Sequence, residues 1–366
     1  MRFFSFIVLA LSLFSCNESA DNFVQTPSGD TLVKTILPKY AKGFIIEQYQ
    51  HSNRIIQFNP SKLSDTIAIY RTGKIKHSNE IHIGSDISKI ITLASPYIGV
   101  LLILNSEDKI KGVNQLSDVY SAEIREKIKQ GNVKTFGEYS GINTELVLSQ
   151  NVDLIITSSY GEAERNEVIE INIPVIKATE WMENHPLGRA EWIKFFGFLL
   201  GKETEATTYF ESIENQYLKS TSNEKVDISL FCGNDFKGIW YLPGGKSNVA
   251  QLLSDAGIDY FYKNNEEVGS VSLSFENVVE KYLDAEIWLN PGPFNSLEEI
   301  KTSDKRYTNF EAFNNKKVYN YTAQVRSDGA NNFWEIGVFE PHVVLNDFKM
   351  IFNGTQDSLV YYKKLE

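Results

Sequence analysis

The chain has 366 residues, a formal net charge of −11 and only two cysteines. That length suffices for two domains with ordinary cores. The acidity argues against nucleic acid as a partner, because phosphate binding needs clustered Lys and Arg, and two cysteines cannot build a disulfide framework.

Residues 1–16 read as a lipoprotein signal segment. Arg2 is the only charge, the apolar run Phe3 to Phe14 is shorter than the about 20 residues that span a bilayer, and Ser15-Cys16 resembles a lipobox whose cysteine is lipidated. A lipid on Cys16 would tether the protein to a membrane face without a transmembrane helix. It would also leave Cys232, in the apolar run Ile228-Ser229-Leu230-Phe231-Cys232, as a buried structural thiol. Residues 17–38 are polar and without period, a tether. Phe44-Ile45-Ile46, Ile55-Ile56-Gln57-Phe58 and Thr66-Ile67-Ala68-Ile69-Tyr70 alternate between turn residues and predict a small antiparallel β extension.

From residue 89 the rhythm becomes strand, helix, strand, helix. Ile90-Ile91-Thr92-Leu93, Ile110-Lys111-Gly112-Val113, Leu154-Ile155-Ile156-Thr157 and Pro174-Val175-Ile176 predict strands. Helices are expected over 95–104, 121–130, from 144 on and over 162–170, so this lobe should hold a parallel sheet covered by helices. Residues 184–220 carry Leu187, Trp192, Phe195, Phe196, Leu199 and Leu200 at helical spacing. One helix of that length would extend roughly 50 Å, enough to join two lobes, with Gly201 as a bend. The alternation then repeats, with strands over 226–231, 287–289 and 318–319 and helices over 247–255, 275–281, 306–313 and 332–352.

Each half carries a glutamate at a helix start about ten residues before a strand. The first is in Gly141-Ile142-Asn143-Thr144-Glu145-Leu146-Val147 ahead of Asp153-Leu154-Ile155-Ile156. The second is in Ser272-Leu273-Ser274-Phe275-Glu276-Asn277-Val278 ahead of Asp284-Ala285-Glu286-Ile287-Trp288-Leu289. These join, in order, Phe136-Gly137, Pro186-Leu187-Gly188-Arg189-Ala190-Glu191-Trp192-Ile193, Gly244-Gly245-Lys246-Ser247-Asn248 and Leu252-Leu253 with Ala256-Gly257. The set resembles the substrate-binding proteins of ABC importers for ferric siderophores, haem and cobalamin, and the opening Tyr40-Ala41-Lys42-Gly43-Phe44 is similar to Bacteroidetes members.

The resemblance implies an α/β fold of two doubly wound lobes joined by one long helix, with the β extension added. The expected division is 39–183 for the N-terminal lobe with its extension, 184–221 for the connecting helix and 222–366 for the C-terminal lobe. It implies a periplasmic, membrane-anchored monomer that binds a metal chelate and docks on a permease dimer through Glu145 and Glu276. It needs no cofactor and no protein metal ligands. A carboxylate in a helix's first turn is also favoured by the helix dipole alone.

Ligand should meet loops at the C-terminal ends of the strands, and the expected contacts are Tyr97, Tyr160, Trp181, Trp240, Tyr241, Phe294, Arg326 and Trp334. Aromatic rings offer rigid contact to a flat chelate and arginine answers an anion. A ferric siderophore ranks first, then cobalamin, then haem ligated by Tyr97, Tyr160 or Tyr241. Arg189, near a helix start, reads as a structural ion-pair residue.

The rival readings are weaker. Pro243-Gly244-Gly245-Lys246-Ser247 resembles the end of a phosphate-binding loop, but Trp240 stands where the pattern needs its first glycine. The five histidines do not form a cluster in sequence. No motif of a serine hydrolase, zinc protease or dithiol enzyme occurs, which leaves a non-motif hydrolase or a sensor lipoprotein as the alternatives from another class.

Overall fold

The computed structural model describes residues 29–366 apart from 75, 139–140, 143, 159–171, 223 and 356–357. The signal segment with Cys16, tether residues 17–28, the loop residues Tyr139, Ser140, Ser159 and Tyr160, and the helix expected over 162–170 lie outside the described residues.

An N-terminal sheet comes first, with β1 (Leu32–Ile36), β2 (Phe44–Tyr49), β3 (Asn53–Asn59), β4 (Lys62–Thr72) and β5 (Ile81–Ile83) adjacent in that order. β1 to β4 are antiparallel and β5 runs parallel to β4. The sheet starts earlier than expected, because β1 falls inside the stretch read as tether. An edge strand held by backbone pairing to β2 needs no apolar alternation. In β2 and β3, Phe44, Ile46, Ile55 and Gln57 are buried at alternate positions, the period of a half-covered strand.

The N-terminal lobe follows as β6 (Ile90–Thr92), α1 (Ser95–Ile103), β7 (Ile110–Val113), α2 (Ala122–Lys129), β8 (Lys134–Thr135), a short hairpin of β9 (Gly137–Glu138) and β10 (Gly141–Ile142), α3 (Thr144–Ser149), β11 (Leu154–Ser158) and β12 (Val175–Ala178). Its sheet has the order β12-β11-β6-β7-β8 and is parallel throughout. β6 is buried along its whole length and β11 over its first four residues, as expected for strands covered on both faces.

The connector departs from the single rod. It is two helices, α4 (Pro186–Leu200) and α5 (Glu203–Ser220). Gly201 ends α4 in the left-handed conformation (φ +67°), the usual glycine stop. The chain then folds back, so that His185 at the start of α4 lies 6.4 Å, ring to ring, from Tyr217 near the end of α5. A Cβ on Gly197 would lie 2.4 Å from the Ala206 Cβ, so the hairpin depends on that glycine for its close approach. Periodicity reveals that both segments are helical but not that they are antiparallel.

The C-terminal lobe contains β13 (Leu230–Cys232), β14 (Asp235–Phe236), β15 (Ile239–Pro243), α6 (Asn248–Asp255), β16 (Ser270–Leu273), α7 (Phe275–Tyr282), β17 (Ile287–Leu289), α8 (Leu297–Ser303), α9 (Glu311–Asn314), β18 (Val318–Asn320), α10 (Asn332–Glu335), α11 (Pro341–Phe352) and β19 (Lys363–Lys364). Its main sheet has the order β13-β17-β18-β19, the first three parallel, and β14-β15-β16 form a separate antiparallel sheet. The strand expected over 226–231 shrinks to β13, with Val226 making only an isolated bridge to Ile258. The helix expected over 332–352 is α10 and α11 separated by a 3₁₀ turn. Pro341 occupies the first turn of α11, where its missing N–H costs nothing. Cys232 is buried and its thiol is pushed up to about 12 by desolvation, the state of an unreactive structural thiol.

The lobes meet at a second place. Glu335, on α10 and nearly fully buried, accepts hydrogen bonds from the backbone N–H groups of Tyr120 (2.6 Å) and Ser121 (3.0 Å). Arg326 Nε donates to the Tyr120 carbonyl (2.7 Å) beside it. Burial raises the Glu335 carboxyl to about 7. A carboxyl raised on folding contributes stability that is present below its unfolded value near 4.5 and lost as pH rises through about 7. Urea unfolding of the wild type against Glu335→Gln is therefore expected to show a wild-type-specific loss over pH 4.5 to 7.5, about 3 kcal/mol at full effect. Parallel curves for the two proteins would contradict it.

Candidate ligand cleft

A cavity of about 510 Å³ lies between the lobes. Trp181, Met182 and Glu183, in the turn after β12, and Arg189, in the first turn of α4, line it from the N-terminal side. Gly233, Tyr241, Pro243, Asn290 and Tyr321 line it from the C-terminal lobe, with Phe333, Trp334 and Phe348 of α10 and α11. Half of these positions follow the C-terminal ends of β12, β13, β17 and β18, where loops diverge and leave a crevice. Trp334 also faces a second cavity of about 420 Å³ lined by Ala94 and by Ser95 and Pro96 in the first turn of α1. Its indole thus stands between two chambers.

Three of the predicted contacts line the main cavity: Trp181, Tyr241 and Trp334, 39%, 41% and 40% exposed. Four do not. Tyr97 has no exposed surface; α1 is apolar on nearly every side and buries Tyr97 to Leu101, and the Tyr97 hydroxyl donates to Glu180 Oε2 (3.1 Å). Trp240 is the inward partner of Tyr241 on β15, where burial alternates. Its ring packs among Phe231, Trp288 and Phe310, and its Nε1 donates to the Cys232 carbonyl (2.8 Å). Phe294 packs on the same aromatic core. Arg326 is taken up by Tyr120, whose ring lies 4.9 Å from the guanidinium. Tyr160 lies outside the described residues.

The reading of Arg189 as structural gives only part of its position. Its Nη2 is 4.0 Å from Glu180 Oε1, and its buried Nε has no hydrogen-bond partner among the described residues. Burial pushes the Glu180 carboxyl up while Arg189 opposes the shift; burial lowers the pKa of Arg189 in turn. A guanidinium stays protonated in proteins, so a positive charge stands in a wall that is mostly apolar and aromatic, with Glu183 and Asn290 among its polar members. That arrangement suits a carboxylate, catecholate or similar anionic edge.

Glu183 was also missed. It is buried, lines the cavity, and accepts from Lys42 N (2.9 Å), Gly43 N (2.8 Å) and Trp192 Nε1 (3.0 Å). Beside it, Glu191 accepts from Lys39 N (3.0 Å), Tyr40 N (2.8 Å) and Ala41 N (3.0 Å). Five successive amides of the segment entering β2 are therefore held by two buried carboxylates, of which Glu183 lines the cavity. The clue was in the sequence: Arg189, Glu191 and Lys194 interrupt a helix that is otherwise almost wholly apolar, and charges there must be paired or face a cavity.

Glu145 and Glu276 are both exposed, in the first turns of α3 and α7, and each helix precedes a central strand of its lobe, β11 or β17. Ser274 caps α7 by accepting from Asn277 N (3.2 Å). The Glu276 carboxyl is held below its usual range by its own amide, by Ser274 and by the field of Arg306.

The sequence pattern of the periplasmic binding protein family matches residues 90–325. The chain belongs to that family. An uncharacterized lipoprotein of Methanocaldococcus jannaschii is 24% identical over 366 residues, covering 92% of this chain and 86% of the relative. A periplasmic heme binding protein from Pseudomonas aeruginosa superposes with a TM-score of 0.56 at 13% identity, covering 77% of this chain and 99% of its own. The Helicobacter pylori CeuE protein with Ni(II) bound gives 0.55 at 16% identity, covering 77% and 88%. These likenesses establish the two-lobe fold. In this periplasmic binding protein, the N-terminal sheet precedes the matched region, and Phe333, Trp334 and Phe348 of the cleft follow it. No helix among the described residues is long and apolar enough to cross a membrane.

Proposed function

We propose that this periplasmic binding protein is the substrate-binding component of an ABC importer, a monomer that captures a ferric siderophore between its lobes and presents it to the permease dimer. Lipid on Cys16 would hold it at a membrane. The observation that carries the reading is Arg189, a cation in the wall that Trp181, Tyr241 and Trp334 share. An iron chelate with aromatic or carboxylate groups offers what such a wall takes: flat apolar surface and negative charge. Haem is the second reading, favoured by the Tyr241 phenol on the cavity wall as an axial ligand for iron.

The test is a titration of the full-length protein in detergent with a ferric catecholate siderophore, a ferric hydroxamate, haemin and cyanocobalamin. It follows quenching of the tryptophan emission, to which Trp181 and Trp334 contribute, with inner-filter correction and calorimetry alongside. Saturable submicromolar binding of a ferric siderophore is expected. Binding of haemin alone selects the second reading, and binding of cyanocobalamin alone overturns both. Binding of none removes the metal-chelate reading and returns weight to a sensor lipoprotein.

Glu145 and Glu276 are proposed to meet arginines of the permease, one per lobe. Two exposed carboxylates at equivalent stations fix orientation and speed encounter. Glu145→Arg with Glu276→Arg should leave ligand affinity within twofold and lower permease-dependent uptake at least tenfold. Uptake at the wild-type rate would show that docking does not use them.

A further inference from the structure

We propose that the β3–β4 hairpin of the N-terminal sheet forms a third wall of the ligand cleft, and that Ser61 at its tip sets the size of chelate the cleft admits. The proposal rests on the reading of this cavity as the ligand site.

Ser61 lines the main cavity together with Trp181, Arg189 and Tyr241. It belongs to neither lobe, and the family pattern begins at residue 90, so this wall is an addition to the shared fold. The tip is built to stay in place. Asn59 pairs with Lys62, leaving a turn of only Pro60 and Ser61, and Asn59 Oδ1 accepts from Ser61 N (2.9 Å), an Asx turn. Pro60 is buried and its φ is fixed by the ring.

The hairpin is joined to the cleft just below its tip. Phe58 N donates to the Gly43 carbonyl (2.8 Å), and Gly43 N donates to Glu183. A Cβ on Gly43 would lie 2.6 Å from the Trp192 ring and 3.1 Å from both Glu183 Oε1 and Pro60 Cγ. Only glycine permits that approach. Hairpin tip, entering segment and Glu183 thus form one packed unit, and Glu183 itself lines the cavity. A wall fixed in this way cannot yield to a larger ligand as a loose loop would. It excludes ligands by size and offers a hydroxyl to those that fit.

The experiment compares Ser61→Trp with Ser64→Trp in the full-length protein, using haemin, a ferric catecholate and a ferric hydroxamate as probes. Both serines are exposed, and only Ser61 lines the cavity, so folding should be unaffected, which urea midpoints verify. Ser61→Trp is expected to weaken the probe that the wild type binds at least tenfold, with Ser64→Trp within twofold of wild type. Wild-type affinity in Ser61→Trp, alongside loss in Arg189→Ala, overturns the third wall and leaves the cleft intact. Equal weakening by both tryptophans also overturns it. Wild-type affinity in Arg189→Ala, or no binding of any probe by the wild type, overturns the ligand site and the hairpin's role together.

Discussion

Glu183→Ala is expected to destabilise the protein by about 3–5 kcal/mol. The carboxylate is buried and accepts from three donors, the amides of Lys42 and Gly43 and the Trp192 indole. Alanine leaves all three without their side-chain partner. A buried, unsatisfied donor costs about 1–3 kcal/mol, and relief from desolvating the carboxylate returns part of the sum. Burial already raises the Glu183 carboxyl, so desolvation is the dominant penalty on its charged form. Glu183→Gln keeps one acceptor oxygen and should lose roughly half as much. The measurement is urea unfolding with hydrogen exchange at Phe44, Ile45 and Ile46. Local exchange should rise more than global stability falls, since these amides sit where the N-terminal sheet meets α4. A loss below 1 kcal/mol in the alanine variant would mean that the aromatic contacts of Phe44 with Trp192 and Phe195, at 5.3 and 5.7 Å, hold the sheet alone.

This joint also shows where sequence reading stops. The parallel strands were legible because Ile90-Ile91-Thr92 and Leu154-Ile155-Ile156 are continuous apolar runs between helical patterns, and that is local information. So were the helix starts at Glu145 and Glu276. The carboxylate–amide contacts were not, because Glu183 and Glu191 reach residues 140 to 152 positions away and no spacing encodes such a pair. The aromatic contacts divided for a related reason. In Ile239-Trp240-Tyr241-Leu242 every residue is apolar or aromatic, so no alternation says which face is inside. Trp240 went to the core and its neighbour Tyr241 to the cavity. Tyr97 was expected in a loop beyond a strand's C-terminal end, yet it lies inside α1, whose buried middle turns its ring onto Phe196 at 5.9 Å. The helical hairpin at Gly201 was half legible: glycine marks a stop, and only packing decides whether the chain goes on or returns.

Arg189→Ala is expected to weaken the iron chelate about 30- to 1000-fold. Truncating one partner of a desolvated charge pair costs about 2–4 kcal/mol, and each 1.4 kcal/mol is a factor of ten. The effect is large because few charges face this cavity. Glu183 spends its oxygens on Lys42, Gly43 and Trp192, and the rest of the wall is mostly apolar or aromatic. Stability should change far less. Without the guanidinium, Glu180 is left with the Tyr97 hydroxyl, and a carboxyl already raised by burial takes up a proton instead of remaining an unpaired charge. Arg189→Lys separates charge from geometry. Lysine keeps the positive charge but offers no planar fork, so an intermediate loss implies a bidentate contact and wild-type affinity implies a simple ion pair. The chelates also discriminate. A ferric catecholate, anionic over its whole surface, should lose more than haemin, whose charge sits on two carboxylates at one edge and whose iron has Tyr241 to bind. Equal losses for both would place the ligand's charge at Arg189 without regard to shape. No loss for either would move the binding site to the second chamber beyond Trp334.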